Sequence, residues 1–326
     1  MKKLILLICL MTGLTSLAQT NYVKNAELLI SAKRAIEKNE TENALLFYKE
    51  AFKLSEDVEL SDYFYAVKCA AKLNNESTLK TLLIKAIEEK KASKESLKSL
   101  TNDLFYQKIL DSILPNYDAY LNNYYKNIKD PIVYHQLQKL LQRDQDMRKL
   151  NDYYLGVNEK EQEAAFDAYL KAQAEKDTIA QKKYRAVLFP EVIEAHDIYK
   201  TKVITYTDSL NVTELIKITK KHCWQKEAWL ILWHQRGTYG EKNWVWNYFK
   251  PVIDKEINEG KLAPYFWAIF DDISSLMKTG ESIYGYHPGK VNAETVNRNR
   301  KQIGLPILTD KEITQRNTRR DKGRIF

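Results

Sequence analysis

The chain has 326 residues, 51 Lys+Arg against 43 Asp+Glu for a net charge of +8, and 44% apolar residues. That balance suits a packed core and excludes both a disordered chain and a membrane-embedded one. Glycine (10) and proline (7) are scarce, and residues 20–114 contain neither. Short-stranded sandwiches and barrels need a turn signal about every 8–12 residues, and dinucleotide folds need a glycine-rich first turn; both are excluded, and an all-α fold of long helices is predicted.

Residues 1–18 carry Lys2 and Lys3, run apolar from Leu4 to Met11, break at Gly13 and close on Ser16-Leu17-Ala18. This charged, apolar, small-residue order is that of a secretory signal peptide cleaved after Ala18. The run is too short to span a bilayer of about 30 Å; the alternative is an apolar N-terminal helix. Cys9 lies between Ile8 and Leu10, a poor setting for a lipid-anchored cysteine. Export to the periplasm or the medium is expected, which removes intracellular nucleic acid as a partner. Cys69 and Cys223 remain in the mature chain; two buried thiols are expected, and a bridge between them is the alternative.

Four amphipathic stretches come next, at 23–38, 41–54, 60–73 and 76–90, with breaks at Asn39-Glu40, Ser55–Glu59 and Asn74-Asn75 that supply helix ends without Gly or Pro. Ala44, Tyr48 and Ala51 in the second stretch match Leu79, Leu83 and Ala86 in the fourth at an offset of 35. This helix-pair period resembles a tetratricopeptide repeat, in which small residues let paired helices approach and an aromatic fills the gap. The first-helix Trp and closing Pro of that repeat are absent, and about two units fit within residues 19–115. Such pairs cannot bury their apolar faces alone and are expected to stack on each other and on the next helices of the chain.

Residues 95–114 and 118–128 read as helices punctuated by Pro115 and Pro131. A helix over 132–150 places Asp144, Gln145 and Arg148 on one face. Glu159–Leu188, rich in Ala, Glu, Lys and Gln, is predicted as one long exposed helix ending at Pro190. Residues 116–205 thus form a helical connector. All six Trp (224, 229, 233, 244, 246, 267) fall within the next region, 206–313. Trp229 and Trp233 lie one turn apart on a helix from Gln225 to Arg236-Gly237, with His234-Gln235 at its end, and Trp244 and Trp246 open the next helix. The cluster reads as core packing or as a sugar- or peptide-stacking surface. Residues 298–326 hold nine basic against three acidic groups, equal to the +6 left once Lys2 and Lys3 are removed. From Thr314 onward this reads as a frayed basic tail, solvated or in contact with anionic lipid or polymer.

Asp144-Gln145-x-x-Arg148, Asp208-x-x-Asn211 with Leu215, Ile218 and Trp224, His234-Gln235, Asp271, Tyr284-Gly285 and Arg300-x-x-x-Gly304-Leu305 occur in an order that resembles a widespread bacterial domain family of unknown function. The resemblance covers about 140–310, interrupted by the helical insertion. It implies a mostly helical domain whose polar motifs converge, and it brings no activity. Asp272 and Ser282 stand where that family tends to have Arg and Gln, and a reaction served by those two would be lost here.

Catalytic candidates are therefore His234, Asp271 and Arg148, with Asp144, Gln145, Tyr284, Arg300, Trp229 and Trp233 as binding candidates. In a general-base reading a carboxylate such as Asp271 orients His234, while Arg148 or Arg300 holds an anionic substrate; the alternative is a hydrogen-bonded network that pins helices together. The five histidines show no metal-ligand spacing, and no cofactor motif is present. The expected function is an exported helical interaction or scaffold protein binding a protein or peptide of the cell envelope. The alternative is an envelope hydrolase acting on an acidic or amide-containing substrate through the His/Asp/Arg cluster.

Overall fold

A computed structural model describes residues 21–54, 58–154, 159–188, 198–287 and 289–321. The predicted signal peptide lies outside them. The fold is all-α: one isolated bridge, Ser282 to Val291, is the only strand-like pairing among the described residues. No described helix is long and apolar enough to cross a membrane. The chain divides into two compact units.

The first unit comprises Met1–Pro131, Ile257–Pro264 and Ile303–Pro306. It contains α1 (21–37), α2 (Thr41–Leu54), α3 (Leu60–Lys72), α4 (Glu76–Lys90), α5 (Lys94–Lys98), α6 (Leu104–Ile113) and α7 (Tyr117–Lys126). The turn after α1 puts Asn39 at φ 62° and bonds Glu40 N–H to Ala35 O at 2.9 Å; 35 residues on, Asn74 takes φ 51° and Asn75 N–H bonds Ala70 O at 3.0 Å. Both satisfy helix-end carbonyls through a left-handed residue, and Asn tolerates that conformation without glycine. The interval also relates buried positions: Ala44, Tyr48 and Ala51 match Leu79, Leu83 and Ala86, and all six are fully buried. Ala32, Ala35, Ala66, Ala70 and Ala71 sit in the same core, so helix axes approach closely where methyls replace longer side chains.

Pro115 does not close this unit. It occupies the first turn of a 3₁₀ segment, Leu114–Asn116, where its missing N–H costs nothing, and Tyr117 beyond it joins the core and donates to Ala92 O at 3.0 Å. The two later segments return onto α1. Tyr22 Oη donates to Lys261 O at 2.8 Å, and a Cβ added to Gly304 (φ +73°) would meet Val23 Cγ2 at 2.5 Å. Glycine is required there both by the backbone and by the close approach.

The second unit comprises Ile132–Glu256, Tyr265–Gln302 and Ile307–Phe326. It contains α8 (Pro131–Tyr154), α9 (Glu159–Ala174), α10 (Thr178–Leu188), α11 (Thr205–His222), α12 (Trp229–Trp233), α13 (Trp244–Asn258), α14 (Ala268–Thr279), α15 (Val296–Gln302) and α16 (Asp310–Asp321). The single helix expected over Glu159–Leu188 is instead a hairpin: Lys176 adopts φ 57°, Asp177 N–H bonds Ala172 O at 2.9 Å, and the Asp177 carboxylate caps α10 through Ile179 and Ala180 N–H. Folding back buries Ala165, Tyr169 and Ala172, apolar surface that a straight helix would leave in water.

The tail expected to fray from Thr314 likewise continues as helix to Asp321. Ile313 is buried with Val291, Val296 and Leu308, and the Asn317 side chain accepts from Val291 N–H at 2.9 Å. The two cysteines among the described residues are free thiols, Cys69 buried and Cys223 exposed where burial was expected. Cys223 ends α11 at φ 65°, which directs the chain out of the helix.

Candidate functional site

The 24-residue helix α8 begins at Pro131, whose fixed φ suits a first helical position. On it Arg143 donates to Asn211 Oδ1 (2.6 Å) and to Glu214 Oε2 (3.0 Å), while Arg148 donates to Asp208 Oδ1 (2.9 Å). The pairing of 143 with 211 and 214, and of 148 with 208, makes α8 and α11 antiparallel. The i,i+3 spacing of Asp208 and Asn211 puts both on the face turned to α8.

Asp144 is the centre of the network. Its side chain is 1% exposed and accepts from Gln145 Nε2 (2.8 Å), Arg148 Nη2 (3.1 Å) and Arg148 Nε (3.3 Å). His234 Nδ1 lies 2.9 Å from Asp144 Oδ1 and 3.0 Å from Arg148 Nε. One nitrogen cannot donate to the first and accept from the second at once. An Nδ1 lone pair facing a carboxylate oxygen at that distance is repulsive, whereas an Nδ1–H satisfies it and leaves Arg148 Nε to Asp144 Oδ2. The geometry therefore assigns the proton to Nδ1. Nε2 is then the free ring nitrogen: no described residue bonds it, and the side chain is 12% exposed.

The two carboxylates that share Arg148 are tuned in opposite directions. Burial by itself would raise the Asp144 carboxyl, but the hydrogen bonds and charges of His234 and Arg148 outweigh it and hold the group below the ordinary carboxylate range. At Asp208 burial wins, helped by the Asp144 charge and opposed by Arg148, and the carboxyl is raised. A pair of acids pushed apart around one cation and one imidazole has the makings of acid–base chemistry.

The structure does not bring Asp271 to His234. Asp271, on α14, accepts from Tyr239 Oη at 2.8 Å, and burial pushes its carboxyl up against that bond. The carboxylate that orients the histidine is Asp144. Asp272, expected only as a departure from a family pattern, is fully buried and accepts three backbone N–H bonds, from Tyr284 (2.7 Å), Tyr286 (2.6 Å) and His287 (2.9 Å). It shapes the 284–287 loop. Arg300 is 3% exposed and donates to Tyr284 O at 2.7 Å, so it braces the same loop. Tyr284 and Arg300 thus belong with Asp272 to a second polar group, Asp271 pairs with Tyr239, and no described hydrogen bond or ion pair joins Asp271 or Tyr284 to the His234 network.

Four of the six tryptophans pack around one phenylalanine. Fully buried Phe270 has the rings of Trp229, Trp233, Tyr239, Trp246 and Trp267 at 5.3–6.4 Å. Trp246 Nε1 donates to Thr238 Oγ1 (3.0 Å) and Trp267 Nε1 to Asp254 Oδ1 (2.7 Å), which satisfies both indoles inside the fold. Trp229 and Trp233 stack on each other at 5.0 Å, so these two binding candidates spend one face each on mutual packing.

Sequence reasoning left Arg143 and Glu214 unnamed, took Arg236 only as a helix end, and placed Asp208 and Asn211 only in the motif series. For Arg236 the signal was position, two residues beyond His234. Among the described residues no group of three or more His, Cys, Asp or Glu side chains is placed to hold a metal ion. No family model, curated protein or solved structure matches this chain.

Proposed function

We propose that the chain is an exported, all-helical interaction protein of the cell envelope, whose first unit is a tetratricopeptide-like binding module. The observation that carries this reading is the 35-residue recurrence: the same left-handed Asn turn and the same buried positions return in successive helix pairs. Repeating pairs expose a repeating surface suited to an extended peptide, and α3 turns Ser61, Tyr65 and Lys68 outward. The charged, apolar and small-residue order of residues 1–18 supports export. The test is to place a photo-crosslinker at Tyr65 in the full chain in cells, with N-terminal sequencing of the mature product. A product starting at Gln19 and one discrete envelope adduct at Tyr65 support the reading. An uncleaved chain, or adducts no different from those at the exposed control Leu104, overturn it.

A second reading is favoured by one specific contact, Asp144 to His234 Nδ1 at 2.9 Å. In it the second unit performs acid–base chemistry: Asp144 fixes the tautomer, and Nε2 takes and returns a proton during hydrolysis of an acidic or amide-containing substrate. Turnover of a panel of ester- and amide-linked acids that vanishes in folded His234→Gln supports this; turnover unchanged in that variant overturns it.

A further inference from the structure

We propose that the end of α12 is a binding site for an oxyanion, a carboxylate or a phosphate group, held by Arg236 and by Nε2 of His234. Arg148 and Arg300 were expected to hold an anionic substrate, yet Arg148 is spent on Asp144 and Asp208, and Arg300 is buried against Tyr284 O. Arg236 is differently placed. Its guanidinium carbon lies 4.6 Å from the centre of the Trp233 ring, and its Nη1 donates to Trp233 O at 3.1 Å.

No carboxylate among the described residues pairs with Arg236, so the N–H groups at Nε and Nη2 remain available. Its place over the indole and its bond to Trp233 O fix the fork while Nε and Nη2 keep their N–H groups, the pair that suits bidentate capture of an oxyanion. Burial, followed by the nearby Arg148 charge, lowers the Arg236 pKa, and an anion would relieve that repulsion. His234 supplies the second donor from the same helix end. With Asp144 accepting at Nδ1, Nε2 is the ring atom left for the ligand, and it donates to the oxyanion once it has taken a proton. Gln235, between them in the chain, has a buried amide nitrogen without a partner among the described residues. A polar group so left calls for one.

This site gives a ligand class to the acid–base reading of His234 but is tested by binding alone. Inorganic phosphate and acetate are titrated separately into the full mature chain at constant ionic strength, with the imidazole ¹⁵N resonances of His234 as the readout. One or both anions shift His234 saturably, and the arm that binds more tightly names the oxyanion. Arg236→Gln weakens binding about tenfold or more, as loss of a charge-assisted pair requires, while Arg236→Lys loses less. Saturable shifts with no turnover would sink the acid–base reading and uphold this site. Absence of a saturable shift with both anions, or binding that survives Arg236→Gln at full strength, overturns the proposal; in the latter case the basic residues of α16 would be the anion sink. A melting curve of Arg236→Gln matching the parent shows that the fold is intact, and in a destabilised variant Arg236→Lys carries the comparison.

Discussion

Replacing Asp144 by alanine removes the acceptor for Gln145, Arg148 and His234 at one stroke. An exposed Asp–Arg pair one turn apart on a helix is worth about 0.3–0.5 kcal/mol, but the Asp144 side chain is 1% exposed, which moves it into the buried regime. Breaking a buried pair by removing one partner costs about 3–5 kcal/mol. Arg148 keeps Asp208 at 2.9 Å, so the lower end of that range applies, about 3 kcal/mol. At roughly 2–4 °C per kcal/mol for a unit of this size, the melting transition of the second unit falls by about 6–12 °C. The comparison variant is Asp146→Ala, two residues away and exposed, whose one bond is to Gln142 at 2.7 Å; its effect stays within about 0.5 kcal/mol. Calorimetry of both variants against the parent decides the matter. Equal melting temperatures for the two would refute the claim that a buried network centres on Asp144.

The acids around Arg148 also predict opposite pH slopes. Asp144, depressed in the fold, contributes stability above the unfolded carboxylate pKa of about 3.9 that is lost as pH falls through its folded value. Asp208, raised in the fold, contributes stability that is present below the unfolded value and lost as pH rises through its folded value. Urea melts at about pH 3 and about pH 6 should therefore show Asp144→Asn growing more damaging, and Asp208→Asn less damaging, as pH rises; slopes of one sign would contradict the assignment. In the first unit, Tyr106 Oη donates to Leu97 O at 2.5 Å while buried Tyr48 Oη has no partner. Tyr106→Phe should cost about 1–1.5 kcal/mol and Tyr48→Phe nothing or less than nothing in the same denaturant assay. Asp272→Asn should cost about 2–3 kcal/mol through weakened charge-assisted bonds and speed hydrogen exchange at the Tyr284, Tyr286 and His287 amides; unchanged protection there would show that the loop holds its own shape.

The helical class and the α8 face were legible because both rest on local rules. A 95-residue stretch free of Gly and Pro (residues 20–114) leaves few ways to end a helix, and residues 144, 145 and 148 share a face on any helix that contains them. The hairpin between α9 and α10 was not legible. Its turn uses Lys176 in a left-handed conformation, for which lysine carries no signal; Asp177 alone hinted at a cap. The continuation of α16 past Thr314 was hidden likewise, because Ile313 clusters with the distant Val291 and Val296 and Asn317 bonds the Val291 N–H, residues far back in the chain.

Partner choice marks the deeper limit. By itself the sequence determined composition, helix periods and the 35-residue recurrence, since each depends on neighbours along the chain. Only the tertiary structure decided that Asp144 rather than Asp271 meets His234. Both lie on amphipathic helices at sensible positions, and the choice between them turns on how α8, α11 and α12 converge, a packing outcome that no local pattern encodes. The same packing engaged Arg148, buried Arg300 and left the edge of Arg236 open, because a cation's availability is set by the carboxylates and carbonyls that folding places beside it.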